Sequence, residues 1–162
     1  MVVHLAYCAL LLGAACSDLA AFRIPNWVSA ALALLFLVNG LLQYEEMAWQ
    51  THLLAGGAML GGGFCLYALR VMGAGDVKLL AVTSLWVGLP VLAFYLLTVV
   101  LAGLATALVL LAMRRLTPAR LIRRHRWVPA SFLPSNRVPY GVAIALSAIL
   151  AAGKLPGAIW LF

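Results

Sequence analysis

Carboxylates are what this chain has least of. Its 162 residues hold four Asp and Glu against eleven Lys and Arg, and charged residues make up 9% of the whole, where a soluble domain carries about a quarter. So few charges cannot cover a soluble surface. With 66% apolar residues and a mean hydropathy of +1.09, the chain reads as membrane nearly from end to end. Cysteine is scarce as well. Cys8, Cys16 and Cys65 lie inside apolar stretches without a Cys-x-x-Cys pair, which argues against a disulfide framework or structural zinc and leaves them as buried small apolar side chains. Histidine offers no metal or Ser/His site, because His4 and His52 fall toward one face of the membrane and His125 lies among arginines. The start of the chain also lacks the basic n-region of a secretory signal. Gly13 spoils the lipoprotein-like run Leu12-Gly13-Ala14-Ala15-Cys16, so the segment is expected to stay as a first helix.

What is present is a series of six apolar stretches: Val2 to Cys16, Trp27 to Leu42, Leu53 to Leu69, Val77 to Val87, Val91 to Met113 and Val138 to Gly153. A spanning helix needs about 20 residues, so only the fifth is comfortably long by its apolar run alone. The fourth is too short to span about 30 Å. Either its helix starts upstream near Gly73, or its end sits in a thinned or water-filled site. The expected fold is an all-α polytopic membrane bundle of about six transmembrane helices, with residues 1–162 forming a single domain. Pro25 and Asn26 are expected to open the second helix, Pro suiting a first turn.

Charge sets the orientation. Under six crossings, Arg23, Arg70, Lys78, Arg114, Arg115, Arg120, Arg123, Arg124, Arg126 and Arg137 fall on one side, and Lys154 with Glu45 and Glu46 on the other. The positive-inside rule places the ten in the cytoplasm and both termini outside. The net charge of +7 therefore needs no nucleic acid. The basic loop 114–137 is explained by topology and anionic lipid, and the spacing of Pro118, Pro129, Pro134 and Pro139 suggests an irregular path with a short interfacial helix around Ala119 to Trp127.

Two of the four acids, Asp18 and Asp76, lie at junctions between apolar stretches on that same cytoplasmic side; the other two, Glu45 and Glu46, are adjacent in another loop. A carboxylate near hydrocarbon costs several kcal/mol, so an intramembrane acid is read as functional by default. Two together suggest one catalytic pair. Gly73 and Gly75 flank Ala74 just before Asp76, where glycine allows a positive φ or lets another backbone approach the acid. Gly56, Gly57, Gly61, Gly62 and Gly63 instead fall within the third helix, with Gly57 and Gly61 at GxxxG spacing, and are read as packing residues.

Asp18 with Arg23-Ile24-Pro25-Asn26 downstream, then Gly73-Ala74-Gly75-Asp76-Val77-Lys78-Leu79, and more weakly Pro139-Tyr140-Gly141, resemble the type IV prepilin peptidases, bacterial membrane aspartic proteases of the GxGD class. The likeness spans nearly the whole chain. It implies removal of a short basic leader from prepilins at the cytoplasmic face of the inner membrane. Asp18 and Asp76 would be the catalytic acids, Gly73, Gly75 and Lys78 candidate substrate contacts, and pilus assembly components possible partners. The size is similar to that of the short members serving Flp-type (Tad) pili. The chain lacks the cytoplasmic region with paired cysteines of the long members, and so the grounds for an N-methyltransferase. Such chemistry needs no metal, nucleotide or other cofactor: repulsion between neighbouring carboxyls keeps one protonated, so one takes a proton from water while the other protonates the carbonyl oxygen. Which acid does which is not assigned, because the pair titrates together. For Lys78, snorkelling to headgroups is the plainer reading. Two rival readings are a proton-coupled transporter or channel component, and a non-catalytic membrane scaffold whose basic loop recruits a partner.

Overall fold

The structure is a computed structural model that describes residues 2–45, 47–116 and 138–153, without the side chain of Arg114. Among these residues there are five helices and no strand: α1 Val2–Ala21, α2 Asn26–Leu42, α3 Trp49–Ala68, α4 Ala74–Leu116 and α5 Tyr140–Ala152. Leu- and Ala-rich segments favour helix intrinsically, and in hydrocarbon a helix satisfies its own backbone donors and acceptors. The whole of α1 and the Ala74–Met113 stretch of α4 are long and apolar enough to cross a membrane, while α2 and α5 are shorter apolar helices. Their outward faces are apolar too: Leu34, Leu41, Leu97, Leu101 and Leu104 are each more than half exposed. Most of the basic loop, 117–137, and Lys154 lie outside the described residues, as does the interfacial helix expected there.

The fourth helix is two arms. Gly88 has φ 68 and ψ 169, a region open essentially to glycine alone, and Pro90 follows in the first turn of the second arm, where its missing N–H has no intrahelical acceptor to lose. The Thr83 and Tyr95 hydroxyls are 2.7 Å apart. A straight helix would set those residues about 18 Å apart along its axis, so 74–87 and 89–116 fold back as a hairpin. The break lies between the fourth and fifth apolar stretches. The short fourth stretch is extended by a helical start at Ala74, the upstream option. Pro25 caps α2 rather than occupying its first turn.

Interhelical hydrogen bonds align the segments. Trp86 Nε1 donates to the Leu32 carbonyl at 3.1 Å, and Lys78 Nζ to Asn26 Oδ1 at 2.9 Å, so α2 and the first arm run in parallel. Trp86 is fully buried between Tyr7, with ring centroids 4.8 Å apart, and Phe36, edge-on at 5.6 Å. His52 Nδ1 lies 2.6 Å from the Leu85 carbonyl. A carbonyl only accepts, so Nδ1 carries the proton, and the imidazole closes the last turn before Gly88.

Two expectations need correction. In α3 the packing glycines are Gly56 and Gly63: an added Cβ would come within 2.5 Å of Leu85 and 2.8 Å of Val77, whereas Gly57, Gly61 and Gly62 meet nothing within 4 Å. Residues seven apart share a face and 57 is rotated about 100° from 56, so the GxxxG pair looks away from the bundle. Likewise Cys16 and Cys65 are exposed and only Cys8 is partly buried, because the first two lie on outward faces of α1 and α3.

Candidate active site

Helix ends build the site. With α1 ending at Ala21, α3 at Ala68 and α4 beginning at Ala74, the junctions 22–25 and 69–73 lie at one end of the bundle. Asp18 sits one turn before the end of α1 and is 4% exposed. Its Oδ2 accepts a 2.7 Å hydrogen bond from the Gly141 amide, with the Val142 amide also contributing. These are first-turn N–H groups of α5, which have no intrahelical acceptor. A Cβ at Gly141 would stand 2.8 Å from that oxygen and 2.7 Å from Ile24 Cδ1. Glycine is what admits the carboxyl.

Asp76 occupies the first turn of α4. Its carboxyl reaches back to the Gly73 amide, the reciprocal geometry of a capping box. A Cβ on Gly73 would come 3.1 Å from Asp76 Oδ2. Each acid is thus aimed by a backbone donor at a helix start, and Asp18 is near enough to act electrostatically on Asp76. Both line one cavity of about 840 Å³, with Phe22, Tyr67, Arg70 and Tyr140 among its walls. Aspartic proteolysis uses two carboxyls that share a proton, and here two carboxyls line one cavity. No group of three His, Cys, Asp or Glu side chains that could hold a metal ion occurs among the described residues.

Of the candidate substrate contacts, Gly73 lines the cavity. Gly75 packs instead on the Asp18 junction, where its Cβ would meet Ile24 Cβ at 3.3 Å. Among the described glycines only Gly88 has positive φ, so Gly75 serves close approach and not a left-handed turn, and the backbone it admits is the chain's own Ile24. Lys78 is bonded to Asn26. Its wall belongs to a second, apolar groove of about 670 Å³ between α3 and α4.

Sequence reasoning undervalued Gly141 and overlooked two wall residues. Phe22 has φ 50 and Arg70 φ 59, the described non-glycine residues with positive φ. Phe22 ends α1 with a single bond from its amide to the Asp18 carbonyl at 2.8 Å. Arg70 and Val71 end α3 with amides bonded to the Tyr67 and Leu66 carbonyls, each at 2.9 Å, the paired pattern of a Schellman turn. Glycine is usual at both positions, and a side chain there costs about 1–2 kcal/mol. Arg70 had a sufficient explanation as a topology charge, which hid it.

The acids do not mark the end of the apolar structure. A Cβ at Gly103 would touch the Tyr140 ring at 3.5 Å, next to the residue that binds Asp18. From there α4 continues eleven residues to Arg114, about 16 Å, with Leu104, Leu108 and Val109 exposed. The acids and their junctions are therefore recessed relative to the tip of α4. Irregular backbone at such a level is tolerated where it lines a water-filled cavity.

No curated protein and no solved structure matches the chain. A family model described as the type IV leader peptidase family matches residues 5–111, a span that contains both acids and the glycines before Asp76 but stops short of Gly141. Covering well over half of the sequence, the match establishes that the chain belongs to the type IV leader peptidase family.

Proposed function

We propose that this protein is a membrane aspartic endopeptidase that removes the short leader from prepilin precursors of the Flp type at the cytoplasmic face of the bacterial inner membrane. Membership in the family carries aspartic protease activity in general and a membrane setting. The observation that supports the aspartic mechanism in this reading is that Asp18 and Asp76, from separate junctions, line one cavity. In this reading the six apolar helical segments each cross the bilayer. The described cations Arg23, Arg70, Lys78 and Arg115 all lie toward the acid end by helix order, and Glu45 toward the other, which supports a cytoplasmic acid end and outward termini.

The mechanism follows from the two carboxyls. The precursor's scissile carbonyl enters the cavity in extended form, next to a water. The ionised carboxyl takes a proton from that water as its oxygen attacks the carbonyl carbon, and the protonated carboxyl gives its proton to the carbonyl oxygen. Collapse of the tetrahedral species breaks the C–N bond: the acid that gained the water's proton protonates the leaving amine, and the other carboxyl takes back a proton from a hydroxyl of the tetrahedral carbon, which becomes the new carboxyl terminus. The Gly141 and Gly73 amides keep both carboxyls in place throughout, so little reorganisation accompanies the reaction.

Co-expression with a candidate Flp-type prepilin tests this reading. Leader removal is expected with the wild-type chain and not with Asp76→Asn. Unprocessed precursor alongside correctly inserted wild-type protein, across the prepilins of the same pilus system, would contradict it.

A further inference from the structure

The described residues include two non-glycine positions with left-handed backbone, Phe22 and Arg70, and both line the cavity that holds Asp18 and Asp76. They come from different junctions, one closing α1 and the other closing α3. Strained backbone of this kind clusters at active sites and ligand clamps. Either turn would form more easily with glycine. Arg70 is also the one Lys or Arg among the cavity's described wall residues. It is exposed, its amide is committed to the α3 turn, and its guanidinium makes no ion pair with another described residue. Among the described residues, the other charged groups in the cavity's wall are the two carboxyls, which repel an acidic side chain.

We infer that Phe22 and Arg70 are specificity-determining residues that seat the precursor across the two acids, Phe22 by apolar contact and Arg70 by pairing with an acidic side chain of the precursor close to the scissile bond. The inference rests on the peptidase reading above and adds to it a sign of charge and a point of recognition. The two residues close different helices, α1 and α3, and both stand in the wall of the cavity that holds the acids. A planar, permanently charged guanidinium suits a carboxylate, which it can hold by two parallel hydrogen bonds.

Glycine makes the test clean, since Phe22→Gly and Arg70→Gly remove a side chain while relaxing the backbone. Purified variants in detergent should melt at or above the wild-type temperature. With a prepilin that the wild type processes, Arg70→Gly should raise KM about tenfold, the loss of one charge-assisted contact, with kcat within about twofold. Phe22→Gly should act in the same direction. Arg70→Glu should be worse, and a precursor with its nearby acidic residue changed to Lys should restore it while failing with the wild type. Binding of the same precursors to Asp76→Asn protein reports the pairing without cleavage, and should weaken by the same factor when Arg70→Gly is added. Wild-type KM and binding in both glycine variants, or no rescue by the charge exchange, would overturn the assignment. A wild-type protein that processes no prepilin would instead defeat the peptidase reading, and the binding comparison would still decide whether Arg70 reads an acidic side chain.

Discussion

The two ends of the bundle treat polar groups in opposite ways. At the Gly88 end, polar side chains bind inward: His52 closes on the Leu85 carbonyl, Gln43 Nε2 donates to Asn39 Oδ1 at 2.9 Å, and both of these sites are buried. At the acid end, backbone amides hold two carboxyls toward an open cavity of about 840 Å³. The first pattern pairs the chain's polar groups with one another, at the end of α2 and between α3 and α4, and the second sets two carboxyls at a cavity wall. In a molecule this apolar, polarity alone does not identify a functional site. What sets the acid end apart is that its two carboxyls, held by backbone amides, line a common cavity.

Substitutions at the two ends should therefore separate activity from stability. The largest effect is expected at the acids, where Asp18→Asn or Asp76→Asn keeps size but cannot cycle the proton. Each should lower cleavage by about 10³-fold or more while membrane insertion, followed by fractionation, is unchanged. Next comes Gly141→Val, whose Cβ would collide with Asp18 and Ile24. Processing should fall by about 10²-fold, because the carboxyl is displaced from its place. Normal processing in that variant would show that the Gly141 contact does not aim Asp18.

Smaller effects are expected away from the cavity, and on stability. Gly63→Val drives its Cβ toward Val77, and overpacking of this kind costs about 1–3 kcal/mol, to be read as a lower melting temperature in detergent. His52→Ala leaves the Leu85 carbonyl without its partner, for about 1 kcal/mol, and should leave kcat intact. Gly57→Ala has open space around it and should change neither quantity. If Gly57→Ala proved as damaging as Gly63→Val, the outward assignment of the GxxxG face would fail.

The legible parts of the sequence were those where a residue type is rare for its surroundings. Asp18 and Asp76 stood out because acids are nearly absent from apolar segments, and the family match then covered both. The gap between the fourth and fifth apolar stretches placed the hairpin, and the structure puts Gly88 and Pro90 in it. Gly141 was faint because its contribution is a backbone N–H, which has no side-chain signature. Phe22 and Arg70 were invisible because glycine is the usual sign of a left-handed helix end, and here the turn formed without it. The glycines of α3 misled in a different way. Spacing identifies which residues share a face, but only the position of Leu85 and Val77 decides which face meets a neighbour, and that selected Gly56 and Gly63 over Gly57 and Gly61.

The central claim is that Asp18 and Asp76 work as one catalytic unit in one cavity. Residual leader removal by purified Asp18→Asn, Asp76→Asn and the double variant, followed over long incubations with one prepilin, tests it most directly. The account predicts that the double variant is no slower than either single variant, because losing one carboxyl already disables the pair. A double variant slower by the product of the two single losses would mean that the acids act independently, and the shared site would be contradicted.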